Sequence, residues 1–91
     1  MSENQTSSSQ GVSALFSRGR LTALPRKTAR REQLLTHLTE TLFEQNRDYS
    51  EREVNEALLT VHDDWSSLRR YLVSGGRLTR ARDGSVYRRA V

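Results

Sequence analysis

The stretch that decides the fold runs from residue 49 to residue 73: Tyr49-Ser50-Glu51-Arg52-Glu53-Val54-Asn55-Glu56, then Asp63-Asp64-Trp65, then Leu68-Arg69-Arg70-Tyr71-Leu72-Val73. Ser50 reads as a helix N-cap. Its hydroxyl can accept a hydrogen bond from the backbone N–H of Glu53, while the Glu53 carboxylate reaches back to the N–H of Ser50. Tyr49 before the cap and Val54 four residues after it form the accompanying hydrophobic staple. Val54, Ala57, Leu58 and Val61 continue at helical spacing, which predicts one buried face. A second cap follows at Asp63 or Asp64. It opens another helix with Trp65, Leu68, Tyr71 and Leu72 inward and Gly75-Gly76 as its stop. Two short helices joined by a tight connection read as a helix-turn-helix.

Upstream, Leu24-Pro25 reads as the entry to a first helix, with proline tolerated in the first turn. Leu34, Leu35, Leu38 and Leu42 make its buried stripe, and Asn46-Arg47-Asp48 ends it. Arg26, Lys27, Arg30 and Arg31 therefore crowd the positive end of a helix dipole, a placement that calls for compensation. Either an anion at the helix N-terminus or the nearby Glu32 can supply it. Downstream, Asp83-Gly84 between Arg77–Arg82 and Ser85–Ala90 predicts a β-hairpin with a type I′ turn, which needs positive φ at both central residues. A two-residue loop sets Arg82 opposite Ser85 and Arg80 opposite Tyr87, with Leu78, Arg80, Arg82 and Tyr87 on one face.

These residues resemble a bacterial family known as domain of unknown function 2087. The likeness lies in the Tyr-Ser-Glu-x-Glu-Val-Asn run, the acidic pair after it and the Leu-Arg-Arg-Tyr-Leu-Val run. It extends upstream to Gly19-Arg20-Leu21 and Leu24-Pro25, and downstream through the glycine pair, Leu78, Arg80 and Asp83-Gly84 to Tyr87, covering residues 19 to 89. The resemblance implies a small winged-helix unit, sometimes attached to regulator domains, and attaches no reaction to it. Function has to be argued from the site.

The 91 residues allow one domain. Met1 to Gly11 hold no large apolar residue after Met1, so residues 1–17 read as a disordered N-terminal tail carrying a short apolar patch, Val12 to Phe16, able to dock on a domain spanning 18–91. Without cysteine the domain has neither a disulfide nor a thiolate metal site, and its helices must pack well. No apolar stretch is long enough to span a bilayer and no signal-peptide segment is evident, which makes the cytoplasm the expected compartment.

Charge is segregated along the chain. Residues 1–31 hold six basic and one acidic side chain, for +5; residues 32–64 hold two basic and nine acidic, for −7; residues 65–91 hold seven basic and one acidic, for +6. If the two basic ends meet in space, they form the electrostatic footprint of a nucleic-acid binder.

The expected fold is therefore α+β, a winged helix-turn-helix of three helices with a C-terminal hairpin as the wing. The expected function is a small DNA-binding transcriptional regulator or regulatory module, without enzymatic activity or cofactor, whose partner is duplex DNA. Helical projection leaves Ser66, Arg70 and part of Arg69 outside the buried arc of the third helix, as candidate groove readers, and Arg70 suits either a guanine edge or a phosphate. Arg77, Arg80, Arg82, Arg88 and Arg89 of the hairpin region either contact phosphate or pair with the acidic middle segment. One feature opposes conventional docking: the N-terminal end of the third helix bears Asp63 and Asp64, which phosphates repel. The alternative is a protein adaptor that self-associates or binds a partner through the acidic second helix, with Leu59 outside its buried stripe and Arg52, Asn55 and Glu56 as the rim. RNA binding ranks third, for lack of a single-strand recognition motif. His62-Asp63-Asp64 is better explained as a helix junction than as metal ligands, and His37 as a residue at the edge of the leucine stripe.

Overall fold

The capping box predicted at Ser50 forms, and it forms at the end of a strand. A computed structural model describes residues 11–91, with helical residues at 11–13 followed by β1 (Phe16–Ser17), β2 (Arg20–Leu21), α1 (Thr28–Leu42), β3 (Asp48–Ser50), α2 (Glu51–Leu59), α3 (Trp65–Ser74), β4 (Leu78–Arg80) and β5 (Val86–Arg89). Ser50 Oγ accepts from the Glu53 N–H at 3.1 Å, and the Glu53 carboxylate accepts from the Ser50 N–H at 2.8 Å. Tyr49 and Val54, the staple pair, are both buried in the core.

The architecture is α+β, with two small antiparallel sheets. In the larger one the order is β3-β5-β4: β5 lies in the middle, pairing Tyr49 with Tyr87 on one side and Arg80 with Tyr87 on the other. Leu34, Leu35 and Leu38 of α1, Val54 and Leu58 of α2, and Leu68 and Leu72 of α3 close over Leu78 and Tyr87 of this sheet, all fully buried. Thr39, also buried, satisfies its hydroxyl by donating to the Leu35 carbonyl at 2.7 Å.

Helix ends follow local chemistry. Asp64, not Asp63, caps α3, accepting from the Ser67 N–H at 3.4 Å. Gly76 takes φ +77 and ends α3 in a Schellman motif: its N–H donates to the Val73 carbonyl and the Arg77 N–H to the Leu72 carbonyl. At α1 the helix begins at Thr28 rather than at Leu24-Pro25, after an extended Lys27 whose side chain makes no cap bond. Among the described residues no helix is long and apolar enough to cross a membrane.

The hairpin keeps its predicted register but not its turn. Arg80 faces Tyr87 as expected, yet Gly84 alone in the turn has positive φ, so a type I′ turn is not formed. The connection widens: the Ala81 N–H donates to the Val86 carbonyl, the Gly84 N–H to the Ala81 carbonyl, and the Asp83 carboxylate accepts from Ser85 instead of leaving its backbone to adopt positive φ.

The positive-φ pair of a type I′ turn occurs at Arg18 (φ +54) and Gly19 (φ +82), between β1 and β2. This hairpin packs on the end of α2 through the Leu21 N–H, which donates to the Val61 carbonyl at 2.7 Å. Of the tail expected over 1–17, residues 1–10 lie outside the described residues. Residues 11–17 are part of the fold, with Val12 buried and the Phe16 ring set edge-on to His37 at 5.7 Å. The domain edge expected at residue 18 thus falls within the β1–β2 turn.

Two outcomes follow from the caps. Ser50→Ala should lower stability by about 0.5–2 kcal/mol in chemical denaturation, the usual cost of removing a Ser cap. Glu53 is held below the ordinary carboxylate range by the Ser50 backbone N–H, Asp64 by its hydrogen bonds from Ser67, and Asp83 by those from Ser85. Since folding lowers all three, their contribution is complete above the ordinary carboxylate range and is lost as pH falls through the folded values. Stability measured against pH should therefore decline on acidification below that range, and more shallowly in Glu53→Gln.

Candidate nucleic-acid interface

Seven of the nine carboxylates in the acidic middle segment are paired internally. Four pairs bring in an arginine from the basic ends: Arg20 with Asp63 at 2.6 Å, Arg69 with Glu51 at 3.7 Å, Arg77 with Glu32 at 2.8 Å and Arg88 with Asp48 at 2.9 Å. Within the segment, Arg47 holds Glu44 and Glu53, and Arg52 holds Glu56. Exposed pairs of this kind contribute little to stability. Their importance is that they determine which guanidiniums are already engaged.

Arg77 is the most enclosed of them, its side chain 14% exposed, with further hydrogen bonds to Thr36 Oγ1 and the Glu32 carbonyl. Glu32 therefore serves Arg77, rather than compensating the cations at the start of α1. Arg69, expected as a groove reader, turns inward: its Nη1 donates to Asn55 Oδ1 at 2.7 Å and its guanidinium lies 5.4 Å from the Trp65 ring centre. Glu51 also accepts from the Tyr87 hydroxyl at 3.2 Å, so one carboxylate joins α2, α3 and β5. Arg88 is tied to Asp48 across the β3–β5 pair, and Arg89 donates to the carbonyls of Phe43 and Val91. Asn55, placed on the rim of α2 by its sequence position, is likewise committed to Arg69.

The other candidates meet no carboxylate among the described residues: Arg26, Lys27, Arg30 and Arg31 at the start of α1, Arg70 on α3, and Arg80 and Arg82 on the hairpin. Contacts link four of them, Arg26, Arg31, Arg70 and Arg80. The guanidiniums of Arg31 and Arg70 lie 4.7 and 5.8 Å from the centre of the same ring, Tyr71. Arg31 Nη1 donates to the Arg26 carbonyl at 3.4 Å, while its Nε is buried with no partner among the described residues. Arg70 and Arg80 then flank a groove of about 410 Å³ between α3 and the hairpin, walled by Ser66, Val73, Ser74 and the engaged Arg69 and floored by Tyr87.

Val73 and Ser74 were absent from the sequence-based candidates, although the projection that selected Ser66 and Arg70 puts them on the same open side of α3. Tyr71, assigned to the core, is half-buried and bridges the two basic regions. Among the described residues no side chain caps α1, and its first turn holds no acidic residue, so its first backbone N–H groups have no intrahelical partner beside the basic residues there. At α3 the acidic end is largely spent: Asp63 is bound to Arg20, and Asp64 is a cap whose charge faces the helix dipole.

Comparison with known proteins gives a family but no nearer relative. No curated protein matches the chain, and neither does any solved structure. A family model described as an uncharacterized protein conserved in bacteria, DUF2087, matches residues 20–89, and the chain belongs to that family.

Proposed function

We propose that the domain is a winged helix-turn-helix that binds duplex DNA, as a small transcriptional regulator or regulatory module, through α3 and the β4–β5 hairpin. The order α1, β3, α2, α3, β4, β5, with β3 added to the hairpin through the central β5, supports the fold assignment. The observation that carries the functional reading is the groove between α3 and the hairpin. There Arg70 and Arg80 meet no carboxylate among the described residues, the acidic segment having taken up Arg20, Arg69, Arg77 and Arg88. Arg26, Lys27, Arg30, Arg31 and Arg82 extend the cationic surface and are assigned to phosphates, which position a protein on DNA without reading its sequence. Arg70 and Ser66 are assigned to base edges. No cofactor and no catalytic step belong to this reading; His37 packs against Phe16, and Asp63 and Asp64 have structural partners.

A second reading has one observation in its favour. Leu59 on α2 is 42% exposed, an apolar side chain beside the Arg52–Glu56 pair, and it suits a protein contact or self-association.

Removing a phosphate contact lowers the slope of log K against log salt by about 0.9. Changing Arg80 and Arg82 together to Gln should therefore flatten the slope by up to about two units in a salt-titrated shift assay, with the fold intact by circular dichroism. An unchanged slope in a variant that still binds removes the hairpin from the interface.

Arg70 and Leu59 separate the two readings. For a DNA reader, Arg70→Ala should weaken binding to a preferred duplex by about 1–3 kcal/mol more than binding to random duplex, and Leu59→Glu should leave binding unchanged. For an adaptor, Leu59→Glu should abolish an association visible in analytical ultracentrifugation while Arg70→Ala has little effect. Failure of the wild type to bind duplex at low salt defeats the DNA reading.

A further inference from the structure

The α3 wall of the groove carries two guanidiniums, of which one is already engaged. Ser66, Arg70, Val73 and Ser74 stand on one side of the helix at i, i+4, i+7 and i+8; Arg69 also lines the groove but is bound to Asn55 and Glu51, which leaves Arg70 as the α3 charge that meets no carboxylate among the described residues. Leu68 and Leu72, on the opposite side, are fully buried. Val73 lies between these two environments: it packs against the core and also lines the groove, half-buried, as an aliphatic side chain in an α3 wall otherwise made of hydroxyls and two guanidiniums.

In the DNA major groove a hydrogen-bonding wall meets donors and acceptors, but an aliphatic side chain has one kind of partner, the C5-methyl group of a pyrimidine. Arg70 has an equally specific one, the O6 and N7 acceptors of guanine. Residues three apart on a helix have Cβ atoms about 5–6 Å apart. Base pairs are stacked about 3.4 Å apart. A guanine held by Arg70 and a methyl touched by Val73 therefore lie within about two base-pair steps of each other.

Resting on the duplex-DNA reading above, we infer that Val73 is a specificity-determining residue that covers a thymine C5-methyl within two base pairs of the guanine bound by Arg70. The preferred duplex then contains a guanine and a thymine at that spacing. Ser66 and Ser74, short and able to donate or accept, allow the helix to approach the base edges closely enough for the methyl to be covered.

The test alters the DNA and leaves the protein as it is. Duplexes bound by the full chain are selected from a random library at low salt, and in a selected site each thymine is replaced in turn by deoxyuridine and each guanine by 7-deazaguanine. Deoxyuridine keeps the base pair and loses only the methyl. One such replacement should weaken binding about fourfold, the equivalent of one methyl group no longer buried. It should lie within two base pairs of a guanine whose 7-deaza replacement weakens binding about fivefold or more. Val73→Ala should bind the thymine and deoxyuridine duplexes equally while keeping its sensitivity to 7-deazaguanine. If no deoxyuridine replacement near that guanine changes affinity, or if Val73→Ala retains the thymine preference, the assignment of Val73 is overturned and the DNA reading stands. Absence of any duplex binding by the wild type overturns both.

Discussion

The junction at Tyr49-Ser50 is the constraint on which the other elements depend, because two residues serve a strand and a helix together. Ser50 ends β3, pairing with Val86, and in the same position caps α2 through its reciprocal bonds with Glu53. No loop separates the two elements, so the direction in which β3 leaves β5 also fixes the axis of α2. Tyr49 reinforces the junction. Its ring is buried edge-on against Phe43, and its hydroxyl accepts from the Glu44 N–H at 2.7 Å, tying the exit of α1 to the same point. Glu51, the first residue of α2, then reaches both Arg69 and Tyr87. The position of α3 relative to the hairpin, and with it the groove, follows from where α2 begins.

Charge pairing decides the rest of the surface. Read along the chain, the acidic middle could remain as a separate negative face opposite the basic ends. Folding instead brings Arg20, Arg69, Arg77 and Arg88 onto it. The pairs are mostly exposed, and their net contribution to stability is small. Their effect is selective, since they neutralise the acidic segment and leave the residual positive charge at the start of α1, on α3 and on the hairpin. The sequence alternatives of phosphate contact and internal pairing for the hairpin arginines are thus divided residue by residue: Arg77, Arg88 and Arg89 have internal partners, and Arg80 and Arg82 meet no carboxylate among the described residues.

What was legible in the sequence was local. The Ser50 box, a cap at Asp63 or Asp64, the Gly75-Gly76 stop and the leucine stripe of α1 each depend on residues within one or two helical turns, and the hairpin register depends on a short loop. The remainder depended on residues far apart in the chain. β3 is three residues long, too short for a periodic signal, and is a strand because β5 pairs with it. The β1–β2 turn uses Arg18 at positive φ, a residue type that gives no turn signal of its own, where the better-marked Asp83-Gly84 makes a different turn because Asp83 prefers to accept from Ser85. Arg69 lay at the margin of the projected arc. Only the neighbouring α2, with Asn55 and Glu51, turns it inward.

The fate of Asp63 and Asp64 bears on how α3 approaches DNA in the proposed complex. As free charges they would repel phosphates from the N-terminal end of the helix, where base contacts are usually made. Bound to Arg20 and to the helix dipole, they weaken that objection without turning the end of the helix into an attractive site. Arg70, in the middle of α3, is exposed and meets no carboxylate among the described residues, and it shares the Tyr71 ring with the half-buried Arg31. An approach led by the Ser66–Arg70–Val73 side, with the start of α1 on one flanking backbone and the hairpin on the other, keeps both aspartates at the edge. Tyr71, half-buried against the core, is the ring on which both guanidiniums converge, and it ties the start of α1 to this side of α3.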